Sequence, residues 1–170
     1  RDRAAQTALW QALSRNELQI VTTDHCPFTY EEKATGLNNY SQIPGGVPSI
    51  EMRFAALYSQ GVRQGWLSLP QWVAQCCTHP AKLMGLAKKG EITVSYDADL
   101  VIFDPDATKT LTPETLHETA GWTPYAGLTL QGWPQTTLSR GKVVVQDGEF
   151  VGGEGNGRFL STPHPFSSTS

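Results

Sequence analysis

Leu18-Gln19-Ile20-Val21-Thr22-Thr23-Asp24-His25-Cys26-Pro27-Phe28 is the stretch on which the fold turns. Leu18, Ile20 and Val21 form a short β-prone apolar run, closed by polar residues and then by Pro27. A buried strand of a parallel sheet has this pattern, although so short a run leaves a helical segment open as the alternative. A carboxylate, an imidazole and a thiol follow at once, in Asp24, His25 and Cys26. In α/β barrels the C-terminal ends of the strands face the active site, so a catalytic Asp belongs there. The competing reading is that Asp24 caps the next turn, a common use of Asp.

Working outward, residues 2–14 carry Ala5, Leu9, Ala12 and Leu13 at helical spacings, with Ser14-Arg15-Asn16 as a stop. Thr29 to Val47 is rich in Gly, Asn, Thr and Pro and is expected to be a loop, with Glu31-Glu32-Lys33 a solvated charge cluster. Loops this long in compact domains usually work as lids or binding loops. Pro44-Gly45-Gly46 brings main-chain groups close to a ligand or makes a plain turn. Ser49 is expected to cap a helix running to about Gln60, stopped by Gly61, with Glu51 and Arg53 solvated. Ser68-Leu69-Pro70-Gln71 has the form of a capping box. Cys76 and Cys77 read as core fillers, Thr78 as the cap of a short helix ending at Gly85, and His79 as packing.

From Gly90 the periodicity becomes that of strands, expected at Glu91–Val94, Asp99–Phe103 and Thr108–Leu111. Turns at Tyr96-Asp97 and Asp104-Pro105-Asp106 separate them, and Asp97 and Asp99 read as solvated turn residues. Trp122-Thr123-Pro124-Tyr125 anchors a Gly/Pro-rich connector. Ser139–Gln146 and Glu149–Val151 flank Asp147-Gly148, a two-residue hairpin signal. Gly152 to Ser170 is expected to be extended or disordered.

A net charge of −3 gives no electrostatic case for nucleic acid or an anionic membrane. No run of 18 apolar residues and no signal-peptide pattern occurs. Three cysteines without C-x-x-C spacing suggest neither a disulfide framework nor a zinc ribbon, and point to a reducing cytoplasm. The chain opens on Arg1 inside a helical pattern, so residue 1 is expected to be internal to a longer protein.

Thr23–Phe28 resembles the last metal-ligand motif of the cyclic amidohydrolases, in the hydantoinase/dihydropyrimidinase branch. Ile43–Glu51 is similar to that branch's substrate loop, and Thr78–Leu86 to the helix before the chain returns to the small β domain. Gly90-Glu91-Ile92 and Asp97–Pro105 resemble the strand pair that opens the return. The resemblance implies an α/β chain, the C-terminal part of a TIM-barrel metal-dependent hydrolase plus strands of its small β-sandwich domain. Its expected divisions are residues 1–86 from the (β/α)8 barrel, 87–151 from the β domain, and a tail at 152–170.

By the same resemblance, Asp24 is both a metal ligand and the catalytic proton shuttle, and Gly45 lies where main-chain groups read the ring amide. Relatives commonly carry Asn at the Gly45 position, so only main-chain contacts are expected to survive there. The implied cofactor is a binuclear zinc site whose remaining ligands, including a carbamylated lysine, lie outside this chain. The four histidines, His25, His79, His117 and His164, contain no His-x-His pair, and one carboxylate alone does not hold a catalytic zinc. The expected substrate is a small cyclic amide of the hydantoin, dihydropyrimidine or allantoin type, opened to an N-carbamoyl acid by a homotetramer of the parent protein. No nucleic-acid or membrane partner is expected. Dihydroorotase is disfavoured by Cys26-Pro27-Phe28 and the 43–51 loop. The reading from another class is a non-catalytic scaffold of the same fold, like the collapsin response mediators, against which Asp24 argues.

Overall fold

The structure, a computed structural model, describes residues 2–162. Its helices are α1 (Arg3–Ser14), α2 (Tyr30–Ala34), α3 (Arg53–Leu57), α4 (Leu69–Val73) and α5 (His79–Leu83). Its strands are β1 (Leu100–Thr110), β2 (Thr129–Ser139), β3 (Lys142–Gln146) and β4 (Glu149–Phe150), in one sheet of order β1-β2-β3-β4. The described residues fall into two compact units. One comprises Thr22–Gln60 and Pro105–Trp133, and the other the remainder. β1 and β2 each pass from one unit into the other, immediately before Pro105 and Pro134.

In the larger unit, Asp2 caps α1 by accepting the Ala5 N–H at 2.8 Å, and Asn16 beyond its end takes the left-handed region at φ 58°. Ser68 and Gln71 close the expected capping box on α4. The helix then runs without a stop through a π turn at Ala74–Thr78 into α5. A wider turn ahead of Pro80 relieves the clash its ring would make with the carbonyl four residues back. Thr78 is therefore mid-helix and not a cap: its hydroxyl donates to the Gly90 carbonyl at 2.7 Å. His79 Nδ1 bonds the Gln19 carbonyl at 2.7 Å. Trp72 meets Phe103 edge-on at 5.0 Å, and Leu13, Leu67, Cys76 and Ala81 are buried. Gln75 is fully buried and donates to the Leu13 carbonyl at 2.9 Å.

Several expected elements differ. The strand at 18–23 carries no ladder; its Val21 N–H reaches the Gln75 carbonyl at 3.4 Å. A parallel strand takes its ladder from neighbouring strands, and no such neighbour is present among the described residues. Glu91–Val94 is not a strand, and Ile92 and Val94 lie exposed. The turn expected at Asp104-Pro105-Asp106 is instead the middle of β1. β1 is an edge strand, where a proline's missing N–H can face away from the ladder. Ser139–Gln146 is two strands joined at Arg140-Gly141, both at positive φ, with a bulge between Thr137 and Leu138 of β2. The Asp147-Gly148 hairpin forms as read, at φ 51° and 85°. Asp97 and Asp99 are not simply solvated, because both pair with Lys89.

The smaller unit builds its core from Met52, Ala55, Leu111, Leu116 and Leu130, with Ala56, Tyr125 and Trp133 packed against it. Leu111 and Leu130 are 0% exposed. α3 begins at Arg53 and continues through a π turn at Tyr58–Val62, so Gly61 does not stop it. The long loop is not structureless, since it holds α2 and a 3-10 turn at Tyr40–Gln42. Residues 163–170 of the expected tail lie outside the described residues.

Candidate functional site

All the residues singled out around the 18–28 stretch for chemistry lie in the smaller unit. Thr23-Asp24-His25 makes a tight turn in which the His25 N–H donates to Thr23 Oγ1 at 3.2 Å. Asp24 itself sits at φ 49°, a left-handed conformation that Asp tolerates better than most side chains. The turn presents its carboxylate outward: Asp24 is exposed and takes no hydrogen bond or ion pair among the described residues. It does not cap the following helix, because α2 is capped by Thr29.

The substrate-loop candidate returns alongside this turn. His25 and Val47 form a parallel bridge, with the Cys26 N–H donating to the Val47 carbonyl at 3.2 Å. Gly46, at φ 113°, is the glycine the geometry requires. A Cβ there would lie 2.3 Å from Cys26 Cβ, well inside contact distance. Gly45 is different, being exposed with nothing within 4 Å of where its Cβ would be.

Within Glu31-Glu32-Lys33, Glu31 is exposed as read, but Glu32 and Lys33 form a clasp, which corrects their reading as solvated charges. Glu32 completes a capping box with Thr29, and Lys33 Nζ donates to the Pro44 carbonyl at 2.8 Å. The same ammonium stands 5.7 Å from the ring centroids of both Phe28 and Trp122. Trp122 donates its indole N–H to the Phe28 carbonyl at 2.7 Å and packs near Tyr30. Residues 28–44 are thus tied down at both ends. The aromatic at 122 was expected to anchor, but its target was not legible.

Ser49 is also reassigned. Its hydroxyl reaches only the Val47 carbonyl, at 3.4 Å, and caps no helix. Instead the main-chain N–H groups of Ser49 and Ile50 donate to His25 Nδ1, at 2.9 and 3.2 Å. Accepting both leaves the ring proton on Nε2. Glu118 Oε1 shares the Ile50 N–H at 3.1 Å and lies 3.7 Å from His25 Nδ1. With both atoms acting as acceptors, that approach is a shared donor and not an ion pair.

Glu51 is only half-exposed and not solvated. Its Oε2 accepts the His117 N–H at 2.6 Å, and its Oε1 lies 2.9 Å from His117 Nδ1 and 3.8 Å from Lys109 Nζ. Lys109 also stands 4.2 Å over the Trp133 ring. Burial lowers the Lys109 pKa, against the opposing pull of Glu51. Sequence order gave no hint of these partners, since His117 lies 66 residues from Glu51 and Lys109 lies 58.

No group of three or more His, Cys, Asp and Glu able to hold a metal occurs among the described residues. Asp24 nonetheless suits one place in a ligand set. It is an exposed carboxylate with both oxygens free, a hard donor for a divalent cation.

The sequence pattern of the amidohydrolase family matches residues 3–144. The chain is 39% identical over 161 residues to a D-hydantoinase of Streptomyces coelicolor, covering 94% of this chain and 34% of that protein. It is 41% identical over 162 residues to a D-hydantoinase of Geobacillus stearothermophilus, with the same coverage. The crystal structure of dihydropyrimidinase from Brevibacillus agri superposes with a TM-score of 0.87 at 42% identity, over 89% of this chain and 33% of that one. A D-hydantoinase crystal structure superposes at 0.93 and 40% identity, over 96% and 36%. The chain therefore spans about a third of the length of these relatives, as a mixed α/β portion of their fold. With the pattern matched from α1 into β3, this chain belongs to the amidohydrolase family.

Proposed function

We propose that this chain is the C-terminal third of a metal-dependent cyclic amidohydrolase that opens a hydantoin or dihydropyrimidine ring to an N-carbamoyl acid. The observation that carries the reading is Asp24: an exposed, unpaired carboxylate on a left-handed turn, beside a main-chain loop, in a chain similar to hydantoinases. Asp24 would be one ligand of a binuclear zinc site, with the other ligands and a carbamylated lysine supplied by the rest of the protein. When bound, such ions polarise the ring carbonyl and lower the pKa of a bound water.

The residues of this chain then do two things. The main-chain groups of Gly45 itself hold the ring amide in register. Asp24 accepts a proton from the attacking water at its carboxylate and returns it to the departing ring nitrogen as the C–N bond breaks. Hydroxyl ends on the acyl carbon and hydrogen on nitrogen, so the hydrolysis balances.

The division into barrel (1–86), β domain (87–151) and tail (152–170) belongs to the same proposal. So do a homotetramer and a cytoplasmic setting. Leu83, Met84, Ile92 and Val94 are exposed apolar side chains that assembly, or the rest of the protein, would cover. Cys26, Cys76 and Cys77 are not joined in disulfides, in keeping with a reducing compartment. No helix among the described residues is long and apolar enough to cross a membrane. An allantoin-type ring remains within the substrate class, since a Gly-Gly pair in this loop suits it too and Gly45 borders open space. A metal-free scaffold is the reading from another class.

The test is ring opening by the full-length protein, followed as N-carbamoyl acid, with metal content measured on the same preparation. Turnover that is lost on chelation and restored by zinc is expected. A metal-free protein inactive on all three ring classes would leave the scaffold reading standing.

A further inference from the structure

Glu118 makes a costly arrangement that stability does not explain. Its side chain is only 6% exposed, and its Oε2 is buried with no hydrogen-bond partner among the described residues. A buried carboxylate oxygen without a hydrogen-bond partner is unfavourable. The other oxygen, Oε1, is spent wholly on the loop. It accepts the Ile50 N–H at 3.1 Å and lies 3.5 Å from the Glu51 nitrogen. His25, the neighbour of Asp24, accepts the Ser49 N–H and the other share of the Ile50 N–H.

These two acceptors arrive from opposite directions in sequence, residue 25 from the strand-end turn and residue 118 from the connector. Between them they fix three consecutive residues, Ser49, Ile50 and Glu51, directly after the Gly45–Val47 segment. Pro48 between the two is fully buried, so movement at 49–51 passes back along a short tether to Gly45.

We infer that Glu118 is a positioning residue: through the Ile50 N–H it locks the loop whose main-chain groups hold the substrate ring beside Asp24. This rests on the cyclic amidohydrolase reading. The carboxylate touches neither substrate nor reacting atoms. Its effect is therefore on binding geometry, seen in KM, while Asp24 continues to carry the proton transfer.

The experiment compares Glu118→Ala and Glu118→Gln in the full-length, metal-loaded enzyme with dihydrouracil and hydantoin as probes. Glu118→Ala removes the acceptor, and KM is expected to rise about tenfold, the scale of one hydrogen bond to a charged group, with kcat within about twofold. Glu118→Gln keeps an acceptor for Ile50 and is expected to restore KM to within about twofold. Hydrogen exchange by mass spectrometry on the peptide spanning residues 48–54 supplies a readout independent of turnover. Protection there is expected to fall in Glu118→Ala and return in Glu118→Gln.

An unchanged KM with unchanged exchange in Glu118→Ala overturns the inference. So does a loss of metal or of thermal stability that Glu118→Gln shares, which would make the residue merely structural. If the unmodified enzyme turns over no cyclic amide, the functional reading fails instead, and the exchange comparison alone decides whether Glu118 holds the loop.

Discussion

Two clusters of carboxylates in this chain are handled in opposite ways. In the larger unit, Asp97 and Asp99 both pair with Lys89, the first at 2.9 Å, and Asp99 Oδ1 also accepts the Arg140 N–H at 2.7 Å. Charge there is matched within the chain. In the smaller unit Asp24 has no partner among the described residues, and Glu118 keeps one buried oxygen unsatisfied. A paired carboxylate has nothing left to offer a ligand, whereas an exposed, unpaired one and a buried, half-satisfied one each keep an acceptor that a ligand or a donor can use. Proximity of acidic residues in sequence does not separate the two cases. Asp-x-Asp at 97–99 looks more like a metal motif than Asp24 does, and the partner on Lys89 is what rules it out.

The largest effect tests that contrast directly. Asp24→Asn in the full-length enzyme is expected to cut kcat by about 10²–10⁴, the usual worth of a positioned acid–base group, while its melting temperature stays close to wild type. Asp99→Asn is expected to leave turnover within about twofold. Equal losses of activity in the two variants would mean that the pairing state says nothing about function here.

Next in size is the pair of adjacent glycines. Gly46→Ala puts a Cβ against Cys26 at a φ unsuited to alanine, and is expected to destabilise by about 1–3 kcal/mol and raise KM as the loop shifts. Gly45→Ala meets open space and is expected to change stability by no more than about 0.5 kcal/mol. Gly45→Val is then the informative variant: KM is expected to rise with metal content and melting temperature unchanged. A Gly45→Val enzyme with normal KM would remove Gly45 from the substrate site. Denaturant unfolding and steady-state kinetics on the three variants settle the order.

Much of this was readable from residue order because it depends on near neighbours. The α1 span, the Ser68–Gln71 capping box and the Asp147-Gly148 hairpin are set by contacts five residues apart or fewer. Asp24 stood out as a candidate by its place after an apolar run and by the family resemblance. What failed did so where a distant partner changed the outcome. Thr78 looked like a cap, but a π turn carried the helix through it. Pro105 looked like a turn, but an edge strand tolerated it. Glu51 and Lys33 looked solvated, yet one meets His117 and Lys109 and the other reaches Pro44 and the rings of Phe28 and Trp122. Glu118 carried no local signal at all. Nothing in Leu116-His117-Glu118-Thr119 says that its carboxylate lies under an amide 68 residues earlier.

The smallest expected effect concerns the saturated cluster and its pH dependence. Burial works against ionisation of Asp99, but hydrogen bonds from Lys89 and from the Arg140 main chain, with their charges, outweigh it and hold its pKa below the ordinary value. Lys89 is raised, chiefly by its hydrogen bond to Asp99, against burial. A depressed carboxyl pKa stabilises the fold above the unfolded value of about 4, and that contribution disappears as pH falls through the folded value. A raised ammonium pKa stabilises below about 10.4 and is lost as pH climbs past the folded value. The pair therefore works between those limits. Asp99 is 38% exposed, so water screens the interaction and its worth is about 1 kcal/mol or less. Lys89→Met is expected to lower unfolding free energy by that amount at pH 7, with the gap to wild type narrowing at pH 3, which lies below the unfolded carboxyl value of about 4. A gap of equal size at both values would assign the loss to the packing of the lysine stem, and the saturated cluster would then hold the fold by contact instead of charge.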